Sequence, residues 1–148
     1  MTAIQTFTAP VQGDSLPTTK GAYALLIRLP RRFRASVGAL GQIDLLADDY
    51  LYLGSAYGPG GLRARLRRHL RASKKAHWHV DYLTGAGEIT DIIAVSEGKE
   101  CDLVDRALMF PGVSVPIAGF GSSDCPRCPA LLLAMPSETL PILASLAE

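Results

Sequence analysis

The stretch "YLYLGSAYGPGGLRARLRRHLR", residues 50–71, decides how this chain folds. Its opening run, through Ala56, is aromatic and aliphatic and predicts a strand over 50–56. "GPGG" at 58–61 then breaks the chain, after which Leu62, Leu66 and Leu70 recur at helical spacing. The run therefore reads as a strand, a glycine-rich turn and an amphipathic helix. At about 100° per residue, Arg65 and His69 stack one turn apart along one border of the leucine stripe, against the sheet where the turn opens. Arg63, Arg67 and Arg71 fall on the other border and toward solvent, and Arg68 points fully outward.

Working outward from this stretch, "GAYALLIRL" (21–29) predicts a strand bounded by Pro30, and 31–46 a second strand with a turn at Gly38 or Gly41. With 50–56 these suggest an antiparallel meander. Downstream, 77–87 reads as a short helix stopped by glycines, 89–96 as a β-branched strand and 99–110 as a helix ended by Pro111. "ALLLAM" (130–135) is a candidate last strand, and 137–148 a closing helix with Ser137 as N-cap. Residues 1–19 read as a flexible lead-in. Residues 20–148 form a single α/β domain with a small antiparallel or mixed sheet flanked by helices, ending in a cysteine-containing extension.

With 148 residues, 48% hydrophobic and 20% charged, the chain is sized and composed for one packed core, which excludes a disordered polyelectrolyte. No segment approaches the roughly 20 apolar residues of a membrane span, so no membrane partner is expected. Three cysteines, Cys101, Cys125 and Cys128, are an odd number that suits reduced thiols and a cytoplasmic setting. Net charge is only +1, yet seven of the 15 Lys and Arg residues lie between Arg63 and Lys75 with no acid among them. By charge alone such a run reads first as a solvated helix face and only second as a surface for a polyanion.

Tyr23 and Tyr52 occupy two strands expected to pair. Two half-buried sheet aromatics would read the same way, but an arginine and a histidine follow on the next helix. "Gly21-Ala22-Tyr23" and "Tyr52-Leu53-Gly54", then Arg65 and His69, then Glu100 on a later helix, resemble the GIY-YIG nuclease superfamily over roughly residues 20–110. That group includes homing endonucleases, an excision-repair incision nuclease and structure-specific resolvases. "YLGSAYGPGGLRARLRRHLR", "KKAHWHVDYL" and "GFGSSDC" look closer still to a branch of small prokaryotic proteins sometimes joined to DNA-repair glycosylases.

The resemblance implies a GIY-YIG-like fold and a metal-dependent endonuclease acting on nucleic acid, DNA in the first instance, in repair or recombination. A protein partner could supply specificity. Glu100 would be the sole protein carboxylate on one Mg²⁺ or Mn²⁺ ion, and Arg65 would clamp a phosphate oxygen as charge develops. Tyr23 is the implied general base, with Tyr52 positioning water or phosphate. His69 is the rival base, because an ordinary imidazole is better matched to neutral pH than an ordinary phenol. Arg63, Arg67, Arg68, Arg71, Lys74 and Lys75 are candidate contacts to the nucleic-acid backbone.

The sequence departs from the family at several points. Tyr23 and Tyr52 are 29 residues apart, so the hairpin joining them is enlarged by an extra strand or long loop. Ser55 stands where many members place a basic residue, Ala22 replaces a branched one, and the C-terminal residues hold no separate recognition module. Cys125-x-x-Cys128 with His77 or His79 is a candidate zinc set that lacks a clean second pair of ligands; reduced cysteines packed under a tight loop are the plainer reading. Trp78 reads either as core or as a stacking residue, and Asp81, Asp102 and Asp105 as packing and surface. Two further readings stand beside the enzyme: a non-catalytic nucleic-acid-binding module on the same fold, and a zinc-stabilised scaffold.

Overall fold

The structure is a computed structural model and describes residues 4–71, 79–120, 130–136 and 146. Its centre is a five-stranded antiparallel sheet in the order β1-β6-β2-β5-β7. The strands are β1 (Ile4–Thr8), β2 (Gly21–Arg28), β5 (Asp49–Ala56), β6 (Glu88–Ser96) and β7 (Leu132–Ala134). β3 (Phe33–Ser36) and β4 (Gln42–Leu45) form a separate two-stranded sheet. Among the described residues, the helices α1 (Gly61–Leu70), α2 (His79–Ala86) and α3 (Glu100–Leu108) complete this α/β architecture.

β2 is buried from Gly21 to Ile27, and β5 is buried through most of its length. Near-continuous apolar sequence in both strands matches a sheet centre covered on both faces. The core there is built from Leu25, Ile27, Leu51 and Leu53, with Leu62 and Leu66 of α1 and Leu103, Val104 and Ala107 of α3. Leu146 is buried as well, whereas the remainder of the expected closing helix, including Ser137, lies outside the described residues.

Two expectations change. The three strands expected to run as a meander do not do so: β2 pairs directly with β5, from Gly21↔Ala56 to Arg28↔Asp49, and the β3–β4 hairpin is looped out between them. Local apolar pattern locates strands but does not choose their partners, and the long apolar register of β2 with β5 wins. The hairpin between the tyrosines is thus enlarged by a small sheet of its own.

The lead-in is also structured. β1 pairs along β6 from Ile4↔Val95 to Thr8↔Asp91. With only Ile4 and Phe7 apolar, this edge strand leaves a faint sequence pattern. Further along, the carbonyls of Pro17 and Thr19 accept the Arg63 and Leu62 amides at 2.8 Å each, supplying partners that the first turn of α1 lacks internally. The approach is so close that a Cβ on Gly61 would lie 2.3 Å from the Thr18 carbonyl oxygen, and Gly61 itself has a positive φ of 60°. Thr19 Oγ1 and Ser96 Oγ share a 2.5 Å hydrogen bond, which ties the segment to β6.

Candidate functional site

Tyr23 lies directly opposite Gly54, and Tyr52 opposite Leu25, so the two tyrosines are diagonal neighbours on one face of the β2–β5 pair. Gly54 makes this possible. A Cβ there would sit 2.4 Å from both Cζ and the hydroxyl of Tyr23, whose ring lies across the glycine. The rings of Tyr23 and Tyr52 are 6.4 Å apart between centroids.

α1 closes over this face with His69. Its ring centroid is 5.3 Å from Tyr23 and 6.1 Å from Tyr52, and Nε2 forms a 2.6 Å hydrogen bond with the Tyr23 hydroxyl. All three are deeply buried: Tyr23 is 1% exposed, His69 2% and Tyr52 7%. Burial is the main reason the Tyr23 phenol is pushed well above its ordinary pKa; negative charge on Tyr52 and Glu100 adds to it, while the hydrogen-bonding Arg65 guanidinium opposes it. Tyr52 is pushed up too, by burial first and then by the Glu100 carboxylate, with Arg65 again opposing. Both phenols are therefore neutral at physiological pH. A carboxylate and a guanidinium both act on the pair.

Arg65 and Arg68 line a cleft of about 170 Å³ with Gly58, Pro59 and Ala64, where the glycine-rich turn enters α1. Ser55, Lys99, Glu100 and Cys101 line an open cleft of about 310 Å³ at the start of α3. Tyr23, Tyr52 and His69 are thus in mutual contact, and Arg65 and Glu100 lie near enough for their charges to act on both phenols.

The basic surface is a different matter. The expectation that Arg68 points fully outward is corrected: its guanidinium makes two 2.9 Å bonds to the carboxylate of Asp81 on α2, whose side chain is 1% exposed. Asp81 also holds Arg68 above its ordinary pKa. A helical wheel sees one helix alone, and the docking of α2 on α1 turned an outer position inward. Arg63 likewise donates to the carbonyls of Leu16 (2.8 Å) and Asp14 (2.9 Å) and so holds the lead-in. Arg67 lies 3.7 Å from the exposed Asp14 carboxylate, and Arg71 is exposed. Lys74, Lys75, His77 and Trp78 lie outside the described residues.

Sequence reasoning read Asp81 as packing and surface and did not pair it with Arg68. The signal that marks it is its place as the first acid after Asp49, beyond a basic run that has none. Lys99, beside Glu100, was not singled out, and Ser55 was noted only as a departure from the family, because the cleft they share joins a strand to a distant helix.

Cys101 is disulfide-bonded, which corrects the expectation of reduced thiols; the odd count that suggested them leaves room for one bridge. Cys125 and Cys128 lie outside the described residues. His79 packs edge-on against Phe120 at 5.4 Å, and burial lowers its pKa. Among the described residues no group of three or more His, Cys, Asp or Glu side chains is placed to hold a metal ion, and no helix is long and apolar enough to cross a membrane.

Fold and site together define a small antiparallel α/β domain whose central strands carry a buried tyrosine pair capped by a helix-borne histidine. The chain belongs to the family described as Domain of unknown function DUF123, whose model matches residues 22–147. Neither a curated protein nor a solved structure matches it.

Proposed function

We propose that this domain hydrolyses a phosphodiester bond in nucleic acid, DNA in the first instance, in the manner of the GIY-YIG nucleases its motifs resemble. The observation that carries the reading is the convergence of the hydrogen-bonded Tyr23–His69 pair, Tyr52 and Arg65, with the Glu100 carboxylate near enough to act on both phenols. Arg65 offers a planar fork to a non-bridging phosphate oxygen as charge builds up on it. Tyr23 enters as a neutral phenol: its oxygen takes a proton from the attacking water while its own proton passes to His69 Nε2, 2.6 Å away. Tyr52, also neutral, orients water or phosphate.

A carboxylate on an open cleft suits Mg²⁺ or Mn²⁺, which retain several waters and draw other ligands from substrate phosphate, so Glu100 fits as a protein ligand to such an ion. When bound, the ion supplies neutralisation of charge at the scissile phosphate and the leaving oxygen. Repair or recombination is the setting proposed.

One observation favours a second reading. Tyr23 and His69 are almost wholly buried, which leaves an attacking water little access to the Tyr23 hydroxyl. In a non-catalytic binding module the same cluster would be packing, and Arg65 with Arg68 would only dock phosphate.

Incubation with branched, nicked and single-stranded DNA and Mg²⁺ or Mn²⁺ separates the two. Cleavage is expected, with Arg65→Ala and Glu100→Ala each slowing it by about 10²-fold or more. Salt-dependent binding without cleavage under any metal selects the module. Absence of both binding and cleavage rejects a nucleic-acid role.

A further inference from the structure

Tyr57 takes no part in the machinery above. The residue is 49% exposed, yet its hydroxyl donates to the Gly98 carbonyl at 2.7 Å. Both ends of that bond are anchored. On one side, Tyr57 leaves β5 directly into a turn closed by the Gly61 amide donating to the Gly58 carbonyl at 3.1 Å. On the other, the Gly98 amide donates to Val95 at 3.0 Å and the Glu97 amide to Lys20 at 2.7 Å. An exposed tyrosine ordinarily samples several rotamers; here the fold has already removed that freedom.

Its position matters as much. The residues flanking it, Ala56 and Gly58, line the Arg65–Arg68 cleft. The residues that follow its acceptor, Lys99 and Glu100, line the cleft with Ser55. Tyr57 therefore links, through its chain neighbours and its hydrogen bond, the cleft of the proposed phosphate clamp to that of the proposed metal ligand. A single exposed aromatic carries no meaning by exposure alone. A ring fixed at this junction presents a π-face where the nucleotide beside a clamped phosphate must pass.

We infer that Tyr57 is a base-stacking platform, and that the site takes a strand whose nucleobase next to the scissile phosphate is unpaired and laid on this ring. The inference rests on the nucleic-acid reading above and narrows its substrate class to single strands, flaps and branch points. In a continuous duplex both faces of each base are already covered by neighbours, so the ring has nothing to accept.

The test is binding without divalent metal, in EDTA, of a single-stranded oligonucleotide carrying 2-aminopurine and of a continuous duplex of the same sequence. The native protein is expected to quench the single-strand fluorescence. Tyr57→Ala should abolish the quench and raise Kd about 5- to 150-fold, the range of one base–aromatic stack. Duplex binding should be the same in both proteins, which also shows that the variant is folded. Tyr57→Phe should keep the quench and lose less affinity than Tyr57→Ala. Single-strand binding or quenching unchanged in Tyr57→Ala overturns the platform while leaving the nuclease reading intact, as does a Tyr57→Phe variant as impaired as Tyr57→Ala. Failure of the native protein to bind either oligonucleotide overturns the nucleic-acid reading and the platform with it.

Discussion

Gly54 and Tyr23 face each other across two hydrogen-bonded strands, and the absence of a side chain at one is what lets the ring of the other lie flat enough to reach His69. The glycine of "Tyr52-Leu53-Gly54" is thereby explained by sterics, whatever reaction the site performs. Gly54→Ala would place a carbon 2.4 Å from the Tyr23 hydroxyl, and neither a central strand nor a buried ring can give way by so much. We expect a destabilisation of about 1–3 kcal/mol, measured by urea denaturation, as in other overpacked cores; an unchanged midpoint would mean that the ring has another place to go. Tyr23, Tyr52, Arg65, His69 and Glu100 were all legible in the sequence as an ordered pattern. Their protonation was not, because the burial that keeps both phenols neutral is a property of the assembled sheet and helix.

At the scale of the element, α1 is held from three directions. Its leucines enter the core, its first turn is capped by lead-in carbonyls, and Arg68 locks it to α2 through Asp81. The capping carbonyls already occupy amides at this helix start, so in the proposed reading anion recognition in the neighbouring cleft would fall to the Arg65 guanidinium. Asp81→Ala strands the Arg68 charge beside a vacated buried site and should cost about 3 kcal/mol, the low end for a buried pair because Arg68 retains some solvent contact. Replacing both partners, Arg68→Met with Asp81→Leu, should recover most of that in a denaturation cycle. Single-variant costs below about 1 kcal/mol would instead class the bridge with surface pairs. Helix positions were legible here because Gly and Pro bound each apolar run: 99–110 was expected and α3 spans Glu100–Leu108. The Arg68–Asp81 bond was not, since it depends on how two helices dock.

Across the whole molecule, strands that are long and apolar announced themselves, and strand partners did not. β2 and β5 were expected at 21–29 and 50–56 and lie within a residue of those bounds. β1 was read as a lead-in because an edge strand with two apolar residues carries little pattern, and β3 with β4 left the main sheet because pairing is settled by distant register. Removal of residues 1–20 should therefore be costly. β6, with Ile92, Ile93, Ala94 and Val95, would become a bare edge, and α1 would lose its cap. We expect a lower thermal midpoint and concentration-dependent association by light scattering; a monomer of native stability would contradict the assignment of β1 as a protecting edge.

That clasp has a consequence for where the domain is cut. Family likeness begins at residue 22, the second position of β2, whereas the strand that shields β6 and the carbonyls that start α1 come earlier in the chain. Recognisable kinship and the unit of folding have different borders. A segment trimmed to the first would carry every residue of the candidate site and lack the shield that keeps such a sheet from recruiting its neighbours.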